Sequence, residues 1–395
     1  MFLVILSGIL ALMSVYLWKR LIKDTTRQGR TRWVLTAVFV ALTLLLVATL
    51  SVPRLTGVPE PGWLAWPGYV WFGLVVYLFM TLLASEPIRL ALAGWVKRQP
   101  KAPETTESVA EDPPATSAVN RRVFLARASA MAAGAASVGL VGFGAASALG
   151  PPHLLEVPVR LRKLDSAFNG FRIAVVSDIH LGPLSGRAHT ERIVRMINES
   201  EPDLVAVVGD LVDGTVAELG PAAEPLRDLV SREGTFFVTG NHEYYVEDPF
   251  SWLRELERLG MQPLRNENTT LRRGAATLQL AGVNDIAGES RSDPPDFDRA
   301  LSGLDTARPT VLLAHQPLHV TQSSARGVDL HVSGHTHGGQ MWPFHYAVRA
   351  VQPSLAGLSA VKDTQLYVTR GAGFWGPPVR VGAPPEMTVL SLQGG

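Results

Sequence analysis

Cysteine is missing from all 395 residues of the sequence, and this absence excludes two kinds of chemistry. Neither disulfide bonds nor thiolate metal sites can form, so a bound metal must take its ligands from His, Asp, Glu, Asn or main-chain oxygen. The net charge is close to zero as well, because 36 Lys and Arg residues are balanced by 35 Asp and Glu residues. A chain this close to neutral gives no reason to expect nucleic acid as a partner.

Charged residues are also missing from three long apolar stretches near the N-terminus, residues 2–18, 33–52 and 64–84. Each has a length that crosses roughly 30 Å of hydrocarbon as a helix. Buried helices of a soluble core rarely follow one another three times without a polar face. We therefore predict three transmembrane helices in residues 1–96.

The basic residues between these stretches predict the orientation of the chain in the membrane. Residues 19–32 contain six Lys or Arg residues, whereas the loop after the second stretch contains only Arg54. Because Lys and Arg concentrate in cytoplasmic loops, the first loop is expected in the cytoplasm and the N-terminus outside. The third helix then returns the chain to the cytoplasm, where residues 85–98 are expected to form a short interfacial helix.

Residues 97–120 are rich in Pro, Ala, Thr, Ser and Glu and predict a flexible cytoplasmic linker. Residues 121–150 then begin with Arg121, Arg122 and Phe124 and continue as a mildly apolar run of Ala and Gly. This pattern resembles a twin-arginine export signal, and a plain fourth transmembrane helix with a flanking arginine pair is the alternative. An "ASA" sequence at 146–148 leaves open whether the signal is cleaved. In either case, we expect a multi-pass protein of the cell membrane with residues 151–395 on the extracytoplasmic side.

Residues 151–395 change to short β-branched runs that alternate with helix-like segments, the pattern of an α/β fold. Helices are predicted at residues 187–199, 221–230, 250–259 and 296–304. Extra strands at "TTLRR" and "ATLQLAG" indicate two packed sheets instead of one parallel sheet. In such sheets, ligands bind at the carboxyl ends of the strands.

Eight polar residues directly follow strand-like runs, and this common position is more informative than any one of them. Alone, each is ordinary turn or loop chemistry. Together, His, Asp and Asn on neighbouring strand ends have the ligand types of a metal site, and one bridging carboxylate suits two cations. The residues are Asp178, His180, Asp210, Asn241, His242, His315, His335 and His337.

The motifs "DIH", "GDLVD", "GNHE", "H" and "GHTHGG", in this order over residues 171–392, resemble those of the calcineurin-like metallophosphoesterases. The forms "GHTHGGQ" and "GAGFWGPPVR" are similar to those of a membrane-anchored bacterial branch of that family. The resemblance implies a four-layer α/β/β/α domain with two packed mixed sheets, here preceded by four transmembrane helices.

The resemblance also implies two divalent metal ions, with Mn, Fe and Zn all compatible with sulfur-free ligands. The first ion would be bound by Asp178, His180, Asp210 and His337. The second would be bound by Asp210, Asn241, His315 and His335, so that Asp210 bridges the pair. His242 would stabilise the transition state and protonate the leaving oxygen, and Asp213 would support the ligands from behind.

Two arginines and three aromatic residues near these motifs remain open to two interpretations. Arg370 and Arg380 would contact substrate phosphate, or they are ordinary surface arginines. Trp342, Phe374 and Trp375 would form an apolar wall beside the site, or they pack in the core.

The favoured function is hydrolysis of a phosphodiester or pyrophosphate by a hydroxide bound between two metals. A tethered extracytoplasmic domain favours a lipid-linked or cell-envelope substrate, such as a UDP-diacylglucosamine or a phospholipid. The first alternative is a phosphomonoesterase acting on phosphoproteins or nucleotides. The second is a non-catalytic membrane sensor in which the metals are structural. The sequence decides neither the physiological substrate nor the oligomeric state.

Overall fold

The computed structural model describes residues 2–56, 60–97, 116–246 and 248–395. The chain divides into two compact units, Met1–Gly142 and Phe143–Gly395. The first unit is helical. Its helices are α1 (Phe2–Trp18), a π-helix (Lys19–Lys23), α2 (Arg30–Thr56), α3 (Gly62–Lys97) and α4 (Thr116–Leu149), which continues into the second unit.

Among the described residues, three helical stretches are long and apolar enough to cross a membrane, at Arg30–Pro53, Gly62–Leu92 and Arg121–Leu149. Four spans were expected. Helix α1 (17 residues) is not among these three stretches, so its span stays a prediction.

The segments on either side of the predicted linker differ from expectation. The interfacial helix expected at 85–98 is the end of α3, which continues through Pro87 to Lys97. Most of the linker, residues 98–115, lies outside the described residues. Helix α4 begins at Thr116, earlier than the predicted boundary, because no proline follows Pro114 to oppose helix formation.

The second unit contains two six-stranded mixed sheets. In the first, the order is β1-β12-β2-β3-β4-β5, and in the second it is β10-β11-β9-β8-β7-β6. The strands are β1 (His153–Leu161), β2 (Arg172–Val176), β3 (Leu204–Val208), β4 (Thr235–Val238), β5 (Met261–Pro263), β6 (Glu267–Arg273), β7 (Ala276–Gly282), β8 (Thr310–Leu313), β9 (Leu330–Ser333), β10 (Gly357–Val361), β11 (Thr364–Val368) and β12 (Glu386–Gly394).

The two sheets pack face to face, because side chains from strands of both sheets enter a shared core. In β3, Leu204, Ala206 and Val208 face the core between the sheets. The intervening Val205 and Val207 face the opposite way and pack under helices. The observed arrangement is the two-sheet α/β fold that the sequence predicts.

Helices cover the outer faces of both sheets. The first sheet packs against α5 (Arg187–Glu199), α6 (Val216–Ala223) and α7 (Pro249–Arg258), and the second against α8 (Phe297–Ala300) and α9 (Val320–Ala325). The helix predicted at 221–230 is instead the end of α6 followed by a 3-10 helix, Glu224–Asp228. Helix α6 begins earlier because the Glu218 carboxylate accepts the N–H of Thr215 (3.0 Å) and caps its first turn.

Parallel pairing determines where the polar loops meet. Strands β2, β3 and β4 are mutually parallel, as are β7, β8, β9 and β11. Their carboxyl ends therefore lie at one edge of the two sheets. The residues predicted as metal ligands all follow these strands.

Candidate metal centre

The loops after these strands have an unusual backbone. Asp178, His180, Asp210, His335 and His337 all have positive φ, between 49° and 70°. A non-glycine residue in this left-handed region costs roughly 1–3 kcal/mol and persists only where its surroundings hold it. The side chains predicted as ligands are therefore held in place by the fold at the expense of local stability.

Glycines surround Asp178 where a larger residue would not fit. A Cβ on Gly371 would lie 2.5 Å from the Asp178 Cβ, and one on Gly334 would lie 2.4 Å from its Oδ2. The Ser177 hydroxyl donates to the same Oδ2 (2.6 Å), and the His335 N–H donates to the carboxylate (3.1 Å). Burial raises the pKa of the Asp178 carboxyl. The side chain is thus fixed in one position in a dry site.

The first ligand group contains Asp178, His180 and His337, which offer ligand atoms within 4.8 Å of one another. The Nε2 atoms of His180 and His337 are 3.1 Å apart, and His337 Nε2 is 3.3 Å from Asp178 Oδ1. Asp210 Oδ2 lies 3.8 Å from His180 Nε2. The structure thus brings together the four residues predicted for the first ion.

The second group contains Asp210, His315 and His335. The Nδ1–H of His315 donates to the Val208 carbonyl (2.8 Å), so its Nε2 faces Asp210 Oδ2 at 3.2 Å. His335 Nδ1 lies 3.2 Å from the same Nε2. Burial opposes the charge on Asp210, but His315 and other histidines outweigh it and hold the pKa of that carboxyl well below its usual range.

These donors fit divalent cations. Ligand atoms about 2.0–2.2 Å from one cation lie roughly 3.0–3.5 Å from each other, and the shortest contacts within both groups fall in that range. Asn241 supplies an independent observation. Its Oδ1 is buried and accepts no hydrogen bond from the described residues. Because a buried carbonyl oxygen rarely stays unpaired, this atom is suited to a metal.

His242 stands beside the groups, with its ring held from behind. Its Nδ1 lies 2.6 Å from Asp213 Oδ1, which also lies 2.9 Å from the Nδ1 of His180. This leaves His242 Nε2 facing the cluster, 4.0 Å from Asp210 Oδ2. Burial opposes the charged imidazole, but the Asp210 and Asp213 carboxylates outweigh it and raise the pKa of His242 to about 9. The arrangement supports a proton donor.

Glu243 is a buried residue of the site that the sequence analysis did not identify. Its carboxylate accepts the main-chain N–H groups of Asp210 (3.0 Å), Leu211 (2.7 Å) and Gly240 (2.7 Å). Burial and the charge of Asp210 raise the pKa of its carboxyl to about 7. Glu243 therefore ties two ligand-bearing loops together. Its place at the end of "GNHE" was the available signal.

The two arginines considered as phosphate contacts lie in different surroundings. Arg380 is only 1% exposed, and its guanidinium donates to the carbonyl of His337 (2.7 Å) and lies 3.0 Å from His337 Nδ1. Arg370 pairs with the buried Glu386 carboxylate (2.5 Å) and keeps part of its surface exposed. Phosphate contact by either stays a prediction, and for Arg380 the observed contacts favour support of His337.

The three aromatic residues also differ in how exposed their side chains are. Phe374 is buried, whereas Trp342 and Trp375 are exposed. The Trp375 ring lies 6.0 Å from the His242 ring, and its main chain is bonded to the side chain of Gln340 (2.8 and 3.0 Å). Phe374 therefore packs in the core, whereas Trp375 lies beside the candidate site.

Known proteins are similar to this chain in sequence. The family model described as calcineurin-like phosphoesterase matches residues 171–339. A Danio rerio protein named transmembrane protein with metallophosphoesterase domain is 33% identical, over 99% of this chain and 89% of its own. Uncharacterized metallophosphoesterases of Helicobacter pylori (strain J99) and Bacillus subtilis are 40% and 31% identical, over 62% and 70% of this chain and 65% and 98% of theirs.

The full-length match extends through the apolar helices, which agrees with a membrane protein. The motifs, the two-sheet fold and the clustered donors agree with the matched family. The chain therefore belongs to the calcineurin-like phosphoesterase family and is a phosphoester hydrolase.

Proposed function

We propose that the chain hydrolyses a phosphodiester or pyrophosphate bond in a lipid-linked or cell-envelope substrate, using two divalent cations. One observation carries the metal-dependent part of this proposal. Two of the three groups of potential ligands contain Asp210, one with His315 and His335 and one with His180 and His242. Asp210 Oδ2 also lies 3.8 Å from Nε2 of His180, which belongs to the remaining group. A single carboxylate at the junction of several ligand sets is suited to bridge two ions.

The proposed ligands are those of the sequence prediction. Asp178, His180, Asp210 and His337 would hold one ion, and Asp210, Asn241, His315 and His335 the other. When bound, two such cations would lower the pKa of water and neutralise charge on phosphate oxygens. Their identity as Mn, Fe or Zn is part of the question for experiment.

The side chains that do not bind metal have separate tasks in this proposal. His242 donates a proton from Nε2 to the leaving oxygen, because its Nδ1 is held by Asp213 at 2.6 Å. Asp213 orients His180 in the same way (2.9 Å). Glu243 keeps the loops of Asp210 and Asn241 in register through its main-chain bonds.

The membrane arrangement is also proposed. Residues 1–96 would form three spans, 97–120 a cytoplasmic linker, and 121–150 a twin-arginine-like signal or a fourth span. Residues 151–395 would then function outside the cytoplasm, as in a membrane-anchored bacterial branch of the family. The uneven distribution of basic residues around the spans supports this orientation.

The residues around His242, the proposed proton donor, agree with a lipid-linked substrate. The rings of Tyr245 and Trp375 lie 5.1 and 6.0 Å from the His242 ring, and both side chains are exposed. Aromatic faces at the rim of a polar site suit a substrate with an apolar part.

The test is a panel of three substrates given to the full-length chain in detergent with Mn, Fe or Zn. The proposal expects metal-dependent cleavage of a nitrophenyl diester or a lipid pyrophosphate, faster than cleavage of a nitrophenyl monoester. Asp210→Asn is the inactive control. Preference for the monoester would favour the phosphomonoesterase alternative. Metal binding without any cleavage would favour a sensor with structural metals.

A further inference from the structure

An unusual surface follows directly after the "GHTHGGQ" motif, in residues 342–351, which we call the aromatic segment. Trp342, Phe344, Tyr346 and Val351 are 50%, 42%, 62% and 66% exposed. The segment ends in helix α10 (His345–Val351), none of whose residues is buried by the described parts of the chain. A helix with no buried residue adds little to the core of the domain, so its apolar side chains are available to another surface.

Exposed apolar residues are concentrated here. Among the described residues after position 152, eleven large apolar side chains are exposed, and five of them lie between residues 342 and 358. Single exposed apolar residues are ordinary, whereas a concentrated patch marks a surface that binds something. The aromatic segment is therefore a candidate interaction surface.

The charge of the segment indicates what it binds. No Asp or Glu occurs from residue 330 to residue 362, and Arg349 is the one Lys or Arg residue within the segment. Trp and Tyr favour the interface between lipid and water, and Arg is attracted to anionic headgroups. This combination fits a bilayer surface better than a protein with a mixed-charge face.

The chain itself limits the distance to a membrane. Helix α4, which is apolar enough to span, ends at Leu149, and strand β1 begins at His153. Three residues between them reach only about 10 Å when extended. If α4 crosses the membrane, strand β1 therefore begins within a short reach of the bilayer surface.

The aromatic segment is also joined to the mouth of the candidate metal centre. The N–H of Trp342 donates to the Val381 carbonyl (2.9 Å), and Gln340 bonds the main chain of Trp375 (2.8 Å). Trp375 in turn lies beside His242. A bilayer in contact with the segment would therefore lie close to the proton donor.

We propose that the aromatic segment is a membrane-docking surface, with its apolar side chains in the headgroup region and Arg349 against lipid phosphate. Docking by this surface does not depend on whether the protein hydrolyses a substrate. The further consequence, that a lipid-borne phosphoester is presented to the metal centre, rests on the proposed function.

The absence of cysteine makes a direct test possible, because an introduced cysteine is the single labelling site. Full-length Val351→Cys is labelled with an environment-sensitive fluorophore in nanodiscs of phosphatidylcholine and phosphatidylglycerol. Val230→Cys is the matched control, since both valines are 66% exposed. Quenching is measured with nitroxide-labelled lipid and with aqueous iodide.

The proposal expects a blue-shifted emission and about twofold greater lipid quenching at position 351 than at 230, with weaker iodide quenching. Arg349→Glu in the Val351→Cys background should reduce the lipid quenching. Equal iodide quenching at both positions would overturn the proposal. A probe at 351 shielded from both quenchers would indicate a second copy or another protein and would overturn it as well. Loss of hydrolysis would not affect this readout, so the two proposals fail separately.

Discussion

Replacing Asp213 with Asn tests how the site controls its proton donor. The Asp213 carboxylate lies 2.6 Å from His242 Nδ1 and 2.9 Å from His180 Nδ1, so one side chain orients both rings. A charge-assisted hydrogen bond contributes roughly 1.5–3 kcal/mol, and partial exposure of Asp213 favours the lower figure. Loss of about 1.5–2.5 kcal/mol at His242 predicts a fall in kcat of roughly 10- to 70-fold at saturating metal. A similar loss at His180 predicts an increase in the metal concentration needed for half-maximal activity of about tenfold.

The assay is steady-state hydrolysis of a nitrophenyl diester, with metal varied at each substrate concentration. Asp203→Asn is the matched control, because the Asp203 carboxylate also accepts two hydrogen bonds, from the main-chain N–H of Arg172 (2.9 Å) and the guanidinium of Arg273 (2.7 Å). It precedes β3, at the opposite end of the strand from the site, so its loss should affect stability and leave kcat unchanged. A kcat of Asp213→Asn within about threefold of the parent would refute the reasoning.

Three further predictions concern other parts of the second unit. Gly371→Ala places a Cβ 2.5 Å from the Asp178 Cβ, at a residue whose backbone is left-handed. The increase in melting temperature that metal causes should therefore largely disappear. An unchanged increase would contradict this crowding. Burial lowers the pKa of His331 from 6.5 to about 3, so the unfolded state binds the proton first as pH falls. The stability is complete above pH 6.5 and should decrease by up to about 1.4 kcal/mol per pH unit towards pH 3, measured by denaturant unfolding in detergent. His331→Asn should lose that part of the slope, and an unchanged slope would contradict the assignment. Arg380→Lys cannot reproduce the forked contacts to His337, so metal affinity measured by equilibrium dialysis should fall about tenfold, whereas unchanged affinity would argue against support of His337.

The location of the candidate site was predictable because it depends on a local rule. Each polar residue follows a strand, and parallel strands bring their carboxyl ends to one edge. Asp178 follows β2 and His315 follows β8, in different sheets, yet the ligand groups that contain them are connected through His180 and Asp210. Strand-end position and residue type were sufficient for this, without any knowledge of distances.

The supporting contacts were not predictable, because they join groups far apart in the chain. Arg380 lies in a Pro- and Gly-rich tail that is typical of a surface loop. Its burial depends on main-chain carbonyls, among them those of Arg370 and Gly373, which carry no sequence signal. Glu243 likewise accepts main-chain N–H groups from a loop 33 residues away. Only the folded backbone brings such donors to one carboxylate.

The boundaries of some helices were also not predicted from the sequence. Helix α10 is short and has no buried face, so no apolar periodicity indicates it. The early start of α6 depends on the cap formed by Thr215 and Glu218, which is a local signal in the sequence. Boundary errors of this kind did not affect the candidate site, which lies at the ends of strands.

The proposed chemistry depends on Asp210, which would join two metal positions in one site. The most direct measurement is the metal content of the purified full-length chain by mass spectrometry, compared with that of Asp210→Asn. We expect about two divalent ions per chain for the parent and loss of at least one from the variant. A parent that binds a single ion at saturation, or an Asp210→Asn chain that keeps the full complement, would contradict it.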